Sequence, residues 1–213
     1  MTTLMITHPQ LVATLVKPPH AIMISLTLDT TDLWHGATGV AGEAGELLEA
    51  ILFPPEKGVD RDNLREELGD LYFYIEQLRQ RVSLVFDMES IEFAASNVDF
   101  ERPFLHLVFA AEIAVHGSQV LDTVKKAAIY NKPLDKELLL NQLMALQVSM
   151  RCIENYFSIT REDAVKYNIA KLSKRYASLS YSDQQAQDRA DKQPRTSDMA
   201  DVVRAEIGEN LQD

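Results

Sequence analysis

An all-α helical bundle is the fold class this 213-residue chain predicts, and three observations predict it. Gly and Pro number 8 each, too little backbone punctuation for a many-turned sandwich or barrel. Apolar residues recur three and four apart in long blocks, as at Ala37, Val40, Ala44, Leu47 and Ile51, which is the spacing of one buried helix face. Hydrophobic residues make up 46% and charged residues 25%, close to the averages for chains that bury a core.

Residues 1–30 carry Pro9, Pro18 and Pro19 without sustained periodicity and are expected to form an arm with a short strand. Thr30, Thr31 and Asp32 offer capping side chains for a helix over residues 32–53, ended by Pro54 and Pro55. Asp60 or Asp62 can cap a second helix with the stripe Leu64, Leu68, Leu71, Ile75, Leu78 and Val82. These two form a helical hairpin. Asp87 or Ser90 opens a short helix to residue 97, and Pro103, acceptable in a first turn, opens a long one to Tyr130. Beyond Asn131-Lys132-Pro133, further helices are expected over 135–157 and 160–177. The expected organisation is an arm at 1–30, an all-α domain at 31–180 and a polar tail at 181–213. Within the domain stand an acidic hairpin (31–85), a second hairpin (103–157) and a closing helix (160–177).

The formal net charge is −11 with an isoelectric point near 4.9, which argues against non-specific binding to nucleic-acid backbone or anionic lipid. Cys152 is the one cysteine and cannot form an intramolecular disulfide, so the chain reads as cytoplasmic with a buried structural thiol. The apolar stretch 11–28 is broken by Lys17-Pro18-Pro19-His20 and lacks the layout of a signal peptide, and a soluble protein is expected.

Chemistry enters with the acidic residues. Each helical residue turns the side chain by about 100°, which sets Glu43 roughly 70° and Glu46 roughly 130° to one side of the first stripe. Glu67 and Asp70 lie roughly 60° and 120° from the second stripe in the same rotational sense, while Glu66 and Glu49 point away. In an antiparallel pair with facing stripes, both flanks then fall on one side, at matching levels. Any one of these carboxylates reads first as part of a solvated face. Together, four carboxylates at one rim repel each other unless cations join them. An all-oxygen set suits Mg²⁺, or Mn²⁺, whereas zinc would bring Cys or His. A di-iron bundle is the competing metal reading, but its Glu-x-x-His pairs are absent.

The run Gly39-Val-Ala-Gly-Glu43-Ala-Gly-Glu46, followed by Glu67-Leu-Gly-Asp70, resembles the MazG-like nucleotide pyrophosphohydrolases of the all-α superfamily, whose Glu-x-x-Glu and Glu-x-x-Asp pairs lie on successive helices. Asn168-Ile-Ala-Lys171-Leu-Ser-Lys-Arg175-Tyr176 looks like that family's closing helix. The resemblance covers about residues 33–80 and 160–190. It implies hydrolysis of a nucleoside triphosphate to the monophosphate and pyrophosphate, with Mg²⁺ held by Glu43, Glu46, Glu67 and Asp70. Glu46 or Glu67 would accept the water's proton, and Asn168, Lys171 and Arg175 would grip phosphate. From Arg161 to Arg175 five basic and two acidic residues give a local +3, which suits a polyphosphate, although a solvated helix face has the same composition. The expected partners are the triphosphate and a second copy of the chain in a dimer, with no nucleic acid and no membrane. A catalytically inactive helical binding or scaffolding module is the alternative.

His35 reads first as a packed histidine, Trp34 as core or a wall for the base, and Tyr72, Phe73 and Tyr74 as core and rim. A shift of about 75 residues lays Asp60 on Asp135, Leu64 on Leu139, Leu68 on Leu143, Glu67 on Gln142 and Asp70 on Ala145. A shift of about 73 lays Glu43 on His116 and Glu46 on Gln119. The second hairpin thus reads as a tandem copy stripped of metal ligands, although two amphipathic hairpins can align through leucines alone.

Overall fold

The computed structural model describes residues 6–192, and every regular element among them is an α-helix. Contacts divide the chain into two units between Val165 and Lys166. The first unit contains α1 (His8–Leu15), α2 (Pro19–Ser25), α3 (Leu28–Leu52), α4 (Arg61–Val82), α5 (Met88–Ser96), α6 (Leu105–Tyr130) and α7 (Lys136–Phe157). Helix α8 (Arg161–Arg175) starts in the first unit and continues into the second, which also carries α9 (Asp183–Asp188). Residues 1–5 of the expected arm and 193–213 of the expected tail lie outside the described residues.

The arm is helical where a short strand was expected. Pro9 and Pro19 sit in the first turns of α1 and α2, where a missing N–H costs nothing and the fixed φ favours helix. Ser25 Oγ donates to the carbonyl of Ala128 at 3.2 Å and Lys17 Nζ to that of Ile129, tying α2 to the end of α6. Helix α3 starts at Leu28, earlier than the expected caps Thr30, Thr31 and Asp32, because Thr27 and Thr30 form a reciprocal capping box, each backbone N–H bonded to the other's hydroxyl at 2.8 and 3.2 Å. The long helix opens at Leu105, after Phe104, and not at Pro103. Phe104 adopts a left-handed conformation with φ of 61° and turns the chain into the helix.

Helix α3 packs against both α4 and α6, and α6 packs in turn against α7. The apolar stripes face inward, leaving Leu47, Leu64, Leu68, Leu143 and Leu146 without exposure. At Gly117 of α6 a Cβ would stand 3.0 Å from Ala44 Cβ and 3.2 Å from the Val40 carbonyl. Only glycine allows α6 to approach α3 so closely there.

The α4 and α7 helices match in detail. Each has 22 residues, Lys136 stands 75 positions after Arg61, and Phe157 stands 75 after Val82. Asp60 and Asp135 accept the first free backbone N–H groups, while Ser83 and Ser158 end the helices with φ of 55° and 53°. Their ends cross over. Arg61 Nη2 donates to the carbonyl of Ser158 at 2.7 Å, and Lys136 Nζ donates to that of Val82 at 3.3 Å. Each N-terminus therefore supplies a cation to the other helix's carbonyl end.

Candidate metal centre

Three of the four expected carboxylates come together. Glu43 and Glu46 of α3 and Glu67 of α4 each offer an oxygen within 4.8 Å of the other two. Helical spacing puts Glu43 and Glu46 on one flank of α3, because Ala44 and Leu47, their neighbours in sequence, are drawn fully into the core. Glu67 lies one residue from the buried Leu68 and is itself buried, Glu43 is half-buried and Glu46 is exposed. The group thus spans a gradient from core to solvent. Asp70, one turn beyond Glu67 and half-buried, is not one of the three.

Glu66, expected to point into water, is instead buried at 9% exposure. The reason is that α4 has neighbours on more than one side, α3 and α7, so its covered face is wider than the single stripe that periodicity reveals. Consecutive residues Glu66, Glu67 and Leu68 are all buried.

Glycines shape the ground beside the acids. A Cβ at Gly42 or Gly45 would meet nothing within 4 Å, whereas at Gly39 it would stand 2.4 Å from the Tyr74 ring. Tyr74 therefore lies directly on the backbone of the acidic motif, with its ring edge-on to His35 at 5.7 Å and to Phe73 at 5.3 Å. His35 is exposed, its Nδ1 3.3 Å from Gln77 Nε2, which also donates to Asp32 Oδ1 at 2.8 Å. Partial burial pushes the Asp32 carboxyl up, but bonds from Arg81 and Gln77 outweigh it and hold the group below its usual value. These contacts pin the start of α3 to the end of α4 and fix the register of the acidic pairs. Trp34 packs, half-buried, against the core.

Asn168, Lys171 and Arg175 belong to the second unit. Asn168 and Lys171 are buried. Arg175 is engaged in a two-pronged ion pair with Asp191, Nε to Oδ1 at 2.7 Å and Nη2 to Oδ2 at 2.8 Å. Those bonds hold the Asp191 carboxyl down at about 2. Sequence reading missed this partner because 16 residues separate the pair and no helical spacing links them.

In the second hairpin none of the corresponding side chains is a carboxylate. His116 Nδ1 lies 3.2 Å from Gln119 Oε1, and Thr123 Oγ1 donates to Gln142 Oε1 at 2.9 Å. The buried Cys152 thiol is pushed up to about 11 by burial, as expected of a structural cysteine. No single helix among the described residues is long and apolar enough to cross a membrane.

No protein-family model matches the chain, and no curated protein or solved structure is significantly similar to it. The acidic cluster itself carries the functional reading.

Proposed function

We propose that the chain is a nucleotide pyrophosphohydrolase of the MazG-like type, hydrolysing a nucleoside or deoxynucleoside triphosphate to its monophosphate and pyrophosphate. The observation that carries this reading is the convergence of Glu43, Glu46 and Glu67 oxygens within 4.8 Å from two helices. Three carboxylates with no Cys or His donor fit a hard divalent cation, Mg²⁺ or Mn²⁺. These glutamates would hold it, with Asp70 one turn away, and when bound it neutralises phosphate oxygens and acidifies water.

The chain's own residues divide the remaining work. Glu67, buried, is held in place by the core around it, while Glu46, exposed, is the carboxylate that water reaches. As water adds to phosphorus and the bridging P–O bond breaks, its proton passes to Glu46 and then to solvent. The open ground over Gly42 and Gly45 leaves room for the phosphates against the backbone of α3. The second hairpin is read as a duplicate of the first, on the matched lengths, caps and crossed ends of α4 and α7. It carries no metal, because His116, Gln119, Gln142 and Ala145 supply no carboxylate. The active form is a homodimer.

The test is pyrophosphate release from a panel of triphosphates, with Mg²⁺ and with EDTA. Release that requires Mg²⁺ supports the reading. No release from any triphosphate overturns it in favour of a binding module.

A further inference from the structure

A cleft of about 570 Å³ opens on the second hairpin, lined by Leu48 of α3, by Ala111, Gln119 and Thr123 of α6, and by Leu138 and Gln142 of α7. Under the 73- and 75-residue shifts its Gln119 and Gln142 stand at the sequence positions of Glu46 and Glu67 on the first hairpin. Its volume is within the range of small-molecule sites. Its chemistry is the reverse of its counterpart's. Apolar surface dominates the walls although Ser118, Asp122 and Lys126 also line them, and the two charged residues among these, Asp122 and Lys126, are paired at 2.6 Å.

Two primary amides, Gln119 on α6 and Gln142 on α7, line the cleft. Gln142 accepts from Thr123 through its Oε1, and among the described residues this is the one hydrogen bond of its side chain. Gln119 is engaged through its Oε1 with His116. In both residues the amide nitrogen is left to donate. Glutamine amides flanked by apolar walls match the acceptor-and-donor edge of a heterocyclic base, whose faces are apolar. A divalent ion would find one carboxylate there, Asp122, already paired with Lys125 and Lys126, and a polyphosphate would find Lys126 already paired with that carboxylate.

We propose that this cleft binds an uncharged nucleoside without metal, the amides of Gln119 and Gln142 reading the base edge between Leu48 and Leu138. The inference rests on the paired-hairpin reading above for the correspondence of the two sites. It gives the duplicated half a binding site for a dephosphorylated relative of the proposed substrate.

The test is calorimetric titration of the full chain, in EDTA, with the common ribonucleosides and deoxynucleosides. One of them should bind at one site per chain, and Gln142→Leu should weaken it at least about tenfold, a loss expected when one amide contact to a base edge is removed. Thr123→Val, which frees the Gln142 carbonyl without changing shape, should alter affinity in a chain that keeps its fold. Glu46→Gln should leave the binding unchanged. The proposal is overturned if no nucleoside binds at millimolar concentration, if Gln142→Leu and Thr123→Val both bind normally, or if EDTA or Glu46→Gln removes the binding. A chain that binds nucleoside but hydrolyses no triphosphate refutes the pyrophosphohydrolase reading and leaves this one standing, and the opposite pair of results refutes this one alone.

Discussion

The hydroxyl of Tyr72 on α4 donates to Oε1 of Glu154 on α7 at 2.8 Å, so a carboxylate with 0% exposure is satisfied from the neighbouring helix. Its other oxygen accepts from Arg151 at 2.8 Å, and Arg151 also donates to Glu92 at 2.9 Å. Arg161 lies over the Tyr72 ring at 4.9 Å. Tyr72 thus joins two charged groups through its edge and its face.

Burial pushes the Glu154 carboxyl above its ordinary value of 4.5, and the bonds from Arg151 and Tyr72 recover only part of the shift. A raised value in the fold means a contribution that is full below pH 4.5 and is lost as pH rises through the raised value. Glu154→Gln keeps an oxygen for Tyr72 but carries no charge. Its stability relative to the native chain should therefore rise between pH 4 and pH 8, measured by urea unfolding. Tyr72→Phe should cost about 1–3 kcal/mol, because it strips a donor from a buried acceptor.

Glu43→Gln, Glu46→Gln and Glu67→Gln should each lower pyrophosphate release at least about a hundredfold at saturating Mg²⁺, since each removes charge directed at the transition state. Helical circular dichroism should be unchanged, and metal-free melting unchanged or raised as repulsion is relieved. Asp70→Asn should also lose activity. Normal turnover in all four variants would exclude the cluster from catalysis.

The glycines of the acidic motif should separate by their surroundings. Gly39→Ala puts a methyl group where the Tyr74 ring stands, 2.4 Å away, and should destabilise by about 1–3 kcal/mol, as overpacking does. Gly42→Ala and Gly45→Ala meet open space and should be neutral or stabilising by up to about 1 kcal/mol, from helix propensity. Thermal unfolding of the three variants decides.

Arg175→Ala should destabilise by about 2 kcal/mol, because Asp191 loses two charge-assisted bonds. The Asp191 carboxyl is held at about 2 against an ordinary 3.8, so its contribution is present above pH 3.8 and lost as pH falls towards 2. If the pair is structural, any loss of nucleotide affinity in Arg175→Ala is equal for mono-, di- and triphosphate. A loss that grows with phosphate number would show that the arginine leaves Asp191 to grip the substrate.

Local chemistry in the chain was enough to place α4, α5 and α7, because Asp60, Asp87 and Asp135 each cap the helix that follows and the apolar stripes carry the buried faces. Rotational arithmetic on two such helices was also enough to bring Glu43, Glu46 and Glu67 to one rim, since an antiparallel pair has few ways to face two stripes. The arm was misjudged because Pro9 and Pro19 punctuate a strand but are tolerated at a helix start, and nothing local separates those cases.

Tertiary structure decided what depends on a third neighbour. Whether Glu66 meets water or core turns on α7 as well as α3, and a periodic pattern reports one covered face only. Glu154 looks like any acidic residue in α7 until Tyr72, 82 positions away, is seen to donate to it. Arg175 likewise reads as a free cation until the chain returns Asp191 to its side. A residue's own helix sets the direction of its side chain, but the charge, hydrogen bonds and solvent it meets there are set by whichever other segment packs against that face.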